Sequence, residues 1–216
     1  LDPYDTSRDR REQGSLAEEG AMKTLVVVYS RTGWTHRAGE EIARECGAEL
    51  RVIEDVNSRR GLFGYWRSIQ DARKARQPAI KPMSLDLRPY DLVILGAPVW
   101  AGHMAAPMRS FIRRHKEELR RVAVFCTMRG SGADRALEEM AQALGRAPIA
   151  RLALKDSEIK KGASAQIRDF LGIAGALAAA GAEPVAPREE AVPSMPRSTS
   201  SSGLDGQAER HPPGPR

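Results

Sequence analysis

Apolar residues fall in two kinds of run along the chain. Leu25-Val26-Val27-Val28-Tyr29 and Leu92-Val93-Ile94-Leu95-Gly96-Ala97, the latter opened by Asp91, are unbroken. Such runs suit strands covered on both faces, because neither side meets water. Leu50 to Ile53, Val122 to Cys126 and Ile149 to Leu154 complete a set of five strands. Between them the apolar positions take helical spacing. Ala38, Ile42, Ala43 and Cys46 precede Gly47, and Leu62, Trp66 and Ile69 lie between Gly61 and Arg76. Met108, Phe111 and Ile112 follow Pro107, Leu137, Met140, Ala141 and Leu144 end at Gly145, and Ile167, Phe170, Leu171, Ala174 and Leu177 form the last stripe. Alternating strands and helices predict an α/β fold, a doubly wound parallel sheet with helices on both faces.

In such a sheet, ligands bind beyond the carboxyl ends of the strands. The loops after the first, third and fourth strands open on that edge, and all three are unusual. Ser30-Arg31-Thr32-Gly33-Trp34-Thr35 leads straight into a helix, whose unpaired N–H groups attract phosphate. The same residues also serve as a plain N-cap. The loop lacks the Gly-Lys-Ser/Thr of a Walker A motif and the Gly-x-Gly-x-x-Gly of a dinucleotide fold. Pro98-Val99-Trp100-Ala101-Gly102-His103 carries an aromatic that would wall a flat ring, or pack as an ordinary half-buried Trp. Thr127-Met128-Arg129-Gly130-Ser131-Gly132 supplies backbone N–H groups, or simply connects to a helix.

Composition changes the picture at the ends. Residues 183–216 hold seven of the fourteen prolines and a Ser/Thr run, and residues 1–21 are polar. Both are expected to be disordered, since they lack the apolar surface to offset ordering. The domain expected between them spans 22–182, and Met22, just before the first strand, is expected to be the natural start, or residues 1–21 a dispensable extension. The two ends are acidic by three and by one, so 22–182 carries +10. A basic domain favours anionic ligands or partners. With no apolar leader, no span of about 20 apolar residues and only Cys46 and Cys126 as thiols, the expectation is a cytoplasmic protein with no membrane span and no disulfide framework or metal site.

Together the three loops resemble the flavodoxin family. Tyr29 to Thr35 is similar to its Thr/Ser-x-Thr-Gly-x-Thr signature, Gly96-Ala97-Pro98-Val99-Trp100 to its second flavin loop, and Thr127 to Gly132 to its third. The resemblance covers residues 22–180 and implies the short-chain form with sheet order 2-1-3-4-5. It also implies FMN, with Ser30, Arg31, Thr32, Gly33, Trp34 and Thr35 on the 5′-phosphate and Trp100 against the isoalloxazine. Pro98, Val99, Ala101, Gly102 and His103, with Thr127, Met128, Arg129, Gly130, Ser131 and Gly132, would border the ring. Three features depart from the pattern: no Tyr follows Tyr90, Trp34 stands inside the phosphate loop, and the domain is basic. Met128 or Arg129 would then cover the outer flavin face, or it stays open. Positive surroundings favour a reduced anionic flavin and so a less negative potential.

The implied function is an FMN-dependent oxidoreductase moving electrons, from NAD(P)H to a quinone or another small acceptor. A flavodoxin-type carrier working with a redox partner protein is the alternative. A second alternative is a non-catalytic binding module that uses the basic segment Arg59 to Lys81, which holds seven Lys or Arg against Asp71. Nucleic acid is the disfavoured partner for that segment, because a solvated helix face accounts for it. His103 invites a part in proton delivery, against a solvent-facing loop histidine. Cys126 and Cys46 read as buried packing.

Overall fold

The computed structural model describes residues 22–56 and 69–181. The expected polar ends, together with Leu62 and Trp66 of the predicted 61–76 helix, lie outside the described residues. Residues 69–73 of that segment are helical.

Strand β1 (Thr24–Val28) leads through helix α1 (Trp34–Cys46) to β2 (Glu49–Val52). Strand β3 (Leu92–Trp100) turns back into the two-residue β4 (His103–Met104), and α2 (Ala106–His115) follows. Then come β5 (Val122–Met128), α3 (Ala133–Leu144), β6 (Arg151–Lys155), α4 (Asp156–Lys161) and α5 (Ser164–Ala179). The parallel strands lie in the order β2-β1-β3-β5-β6, with β4 antiparallel to β3 off that path. Counted without β4, this is the order 2-1-3-4-5, so the hairpin strand is the one addition.

The central strands are almost wholly apolar because both their faces are covered. Leu25 and Val27 of β1 share one cluster with Met108 and Phe111 of α2 and with Leu137 and Met140 of α3. Val26 and Val28 share the other with Ala38 and Ile42 of α1, Ile159 of α4, and Ile167 and Phe170 of α5. Fully burying each such side chain contributes about 1.5–3 kcal/mol.

Four expectations need correction. Strands β3 and β5 run on through Trp100 and Met128, so Pro98, Val99, Trp100, Thr127 and Met128 are strand residues rather than loop. Strand β6 starts and ends later than expected, at Arg151–Lys155, and α4 was not anticipated. On α5, Ala178 is buried and Leu177 is exposed, because 178 continues the 167, 170, 174 stripe at steps of three and four residues. Cys46 is half-buried rather than core, and its thiol donates to the Ile42 carbonyl at 3.1 Å.

Candidate functional site

The three loops meet at the carboxyl edge of β1, β3 and β5. Gly33 begins α1 with φ 93°, and no side chain caps that helix. The Gly33 N–H donates to Ser30 Oγ at 3.2 Å, which folds the loop into a tight turn. The first-turn amides of Trp34, Thr35 and His36 precede the first intrahelical bond, Arg37 N–H to Gly33 C=O. Ser30 and Arg31 are half-buried, and Thr32 and Gly33 are exposed. A Cβ placed on Gly33 would meet nothing within 4 Å. Trp34 turns into the body of the protein and packs on the cluster beneath α1.

Thr35 is buried, and its hydroxyl shares a 2.7 Å hydrogen bond with that of Thr127, itself buried at the end of β5. The first and third loops are therefore joined by one hydroxyl pair.

The second loop is a two-residue hairpin. Ala101 (φ 50°) and Gly102 (φ 80°) are both left-handed, as a type I′ turn demands, and they reverse β3 into β4. Pro98 and Val99 are half-buried. Trp100 is only 9% exposed, with its ring edge-on to Tyr29 at 5.5 Å and 84°. The indole thus stands in the core beneath the edge and does not present an open wall. Tyr29 in turn donates its hydroxyl to Asp55 Oδ2 at 2.8 Å.

His103 is buried, contrary to the solvent-facing alternative, and Glu139 of α3 holds it. One carboxylate oxygen lies 2.6 Å from His103 Nδ1. The other accepts from the Met104 N–H at 3.0 Å and from Arg109 Nη2 at 2.7 Å. One acid therefore clamps the hairpin by backbone and side chain together. Neither Glu139 nor Arg109 was among the expected site residues, since a pair 30 residues apart has no local signal.

In the third loop Met128 is half-buried, and Arg129, Gly130 and Ser131 are exposed. Gly132 (φ 99°) starts α3, again without a side-chain cap. It packs so closely on the hairpin that a Cβ there would lie 2.6 Å from Gly102 Cα. Burial, with the Asp134 charge adding to it, pushes the Cys126 thiol up to about 12. It is a packed thiol with no thiolate chemistry at neutral pH. Burial also raises the Asp156 carboxyl at the start of α4, and the Arg129 charge partly opposes this.

The donor set fits the phosphate of FMN. It has free helix-start amides, hydroxyls, Arg31 and no carboxylate from Ser30 to Thr35. The ring side fits less fully, because Trp100 is covered and Pro98, Val99 and Met128 are the half-exposed apolar borders.

A flavodoxin-domain family model matches residues 65–163, under half of the chain. No curated protein matches it in sequence. Among solved structures, a flavoprotein in complex with FMN from Lactobacillus acidophilus NCFM is 27% identical, with a TM-score of 0.55. The match covers 66% of this chain and 99% of that one. A protein from Bacteroides eggerthii DSM 20697 is 24% identical (TM-score 0.58), covering 71% of this chain and 98% of that one. Another from Bacteroides uniformis ATCC 8492 is 22% identical (TM-score 0.54), covering 65% and 97%. The fold is flavodoxin-like.

Proposed function

We propose that this chain, flavodoxin-like in fold and in the family model it matches, binds FMN non-covalently at the carboxyl edge of its sheet. There it works as an oxidoreductase, taking electrons from NAD(P)H to a quinone or another small acceptor. The carrying observation is the pair of uncapped helix starts at Gly33 and Gly132, whose loops the Thr35–Thr127 bond joins. The FMN-bound Lactobacillus acidophilus flavoprotein supports the choice of cofactor.

Residues Ser30 to Gly33 and the amides of Trp34 to His36 would hold the phosphate. Pro98 to His103 and Met128 to Gly132 would border the ring. When bound, the flavin supplies hydride and single-electron chemistry, and the protein supplies position and field. Glu139 engages His103 at Nδ1, which leaves Nε2 as the ring nitrogen outside the clamp. The +10 charge of residues 22–182 and the exposed, ring-free Arg129-Gly130-Ser131 favour an enzyme with a small acceptor over a carrier. Among the described residues no helix is long and apolar enough to cross a membrane. The reading takes 22–182 as the working unit and places it in the cytoplasm, where the free thiols Cys46 and Cys126 suit reducing conditions.

The test is the visible spectrum of the purified chain, with the released chromophore identified by mass. About one FMN per chain is expected by the one-site reading. A colourless protein that takes up no added FMN refutes it. Turnover of NAD(P)H with a quinone separates the enzyme from a carrier, which would oxidise the nicotinamide negligibly.

A further inference from the structure

A cavity of about 620 Å³ lies between the later turns of α2 and α3, and none of the residues 30–35, 98–103 or 127–132 lines it. Its volume is within the usual range for small-molecule sites. Arg109, Arg113, Arg114 and Lys116 line it, with Glu117 and Glu139 as its acids. Glu139 is already engaged by His103, the Met104 amide and Arg109. Among the described residues Arg113, Arg114 and Lys116 make no ion pair, so the wall carries uncompensated positive charge.

Charge at the end of α2 has an ordinary explanation, since cations suit a helix C-terminus. That does not account for Arg109. This side chain is 10% exposed, and its Nη2 binds Glu139. Its Nη1 is shielded from solvent and has no hydrogen-bond partner. A buried donor without an acceptor is rare and costly. A guanidinium is a planar fork suited to two parallel bonds, and here only one arm is engaged. Arg109 and Arg113 stand four residues apart on α2, so they share a face.

We infer that this cavity is a second anion site, which takes a phosphorylated small molecule through Arg109, Arg113, Arg114 and Lys116. Binding turns the Arg109 guanidinium toward the cavity and gives Nη1 a phosphate oxygen as acceptor. Gln142 and the small Ala75 and Ala143 complete the lining, leaving room for an organic group beside the phosphate. The site stands independently of the flavin reading, because it shares no residue with the three loops. The two places are nevertheless linked, since Glu139 holds Arg109 with one oxygen and His103 with the other.

The test is a titration of the full chain, loaded with FMN and freed of unbound flavin by gel filtration, with sodium pyrophosphate, followed by amide NMR, with sodium chloride at equal ionic strength as the control. Saturable shifts are expected in residues 109–117 and 139–143. The double variant Arg113→Gln/Arg114→Gln should weaken binding by about tenfold or more, as two charge-assisted contacts are lost. Both arginines are exposed, so an otherwise unchanged spectrum certifies the fold. Any of three results overturns the site: no shift in those segments, shifts across every basic surface that the chloride control reproduces, or unchanged affinity in the variant. Shifts confined to residues 30–36 also overturn it and locate the anion at the flavin phosphate loop. Failure of FMN to bind shows separately, as absent flavin absorbance, and leaves this result readable.

Discussion

Replacing Gly132 by alanine tests how the second and third loops are packed. Two costs add at this position. With φ 99°, a residue bearing a Cβ is strained by about 1–2 kcal/mol. The Cβ would also lie 2.6 Å from Gly102 Cα and 3.4 Å from Val99 Cγ1. The nearer atom is backbone, held in place by the β3–β4 hairpin, so it cannot rotate away. Overpacking of this kind costs about 1–3 kcal/mol, which puts the sum at about 2–5 kcal/mol. Two other glycines separate the contributions. Gly33→Ala meets the same kind of backbone strain (φ 93°) with nothing within 4 Å, so it should cost about 1–2 kcal/mol. Gly130→Ala meets neither and should stay within about 0.5 kcal/mol of wild type. Urea denaturation followed by circular dichroism ranks the three, and FMN affinity should fall for Gly132→Ala and Gly33→Ala alone. If Gly132→Ala is no more destabilising than Gly33→Ala, the loops are not in contact as described.

Glu139→Ala should cost about 2–4 kcal/mol in urea unfolding, because it leaves the Arg109 guanidinium buried without a counter-charge and releases the hairpin. A loss below 1 kcal/mol would contradict the clamp. Thr127→Val should cost about 1–3 kcal/mol by leaving the buried Thr35 hydroxyl unpaired. Adding Thr35→Val should then cost less than the two single losses summed, and strict additivity in the cycle would argue against the bond. For Cys126, the unfolded thiol ionises near 9.0 and the folded one at about 12. Above pH 9 the unfolded state therefore binds fewer protons, and stability falls as pH rises toward 12. Cys126→Ala should flatten the slope in that window, and iodoacetamide should leave the native thiol unlabelled at pH 7.5, an outcome read by mass.

The fold was legible wherever burial on both faces left its mark. The unbroken runs at Leu25–Val28 and Leu92–Ala97 identify strands with no water on either side, and both are buried throughout. The site was legible as three loops on one edge, but not in how they are held. Pro98 reads as a breaker, yet it sits in the last part of β3, beyond the point where β1 pairs with that strand, so its missing N–H leaves no gap there. Ala-Gly is a weak hairpin signal, and the turn at Ala101 and Gly102 is sustained by the tertiary clamp from Glu139. That clamp and the Thr35–Thr127 bond join residues 35 and 92 positions apart. No local pattern encodes such pairs. Trp100 is expected either to wall a flat ring or to pack as a half-buried Trp, and its edge-on contact with Tyr29 is another pairing that no local pattern encodes.

The register of the sheet also says how the chain assembles. Strand β1 meets β2 across 24 residues of chain and β3 meets β5 across 29, but β1 meets β3 across 68. Each doubling of loop length adds only about 0.6 kcal/mol. The β1–β3 seam is thus slow for want of local contacts, while its stability is little affected. The seam divides the sheet into two parts whose own strand pairings are local, β1 with β2 and β3 onward. The first loop stands on one side of it, and the second and third loops stand on the other. The Thr35–Thr127 bond acts as a latch between the two parts. A molecule bound across the latch recognises the joined state alone and draws the chain toward it by mass action.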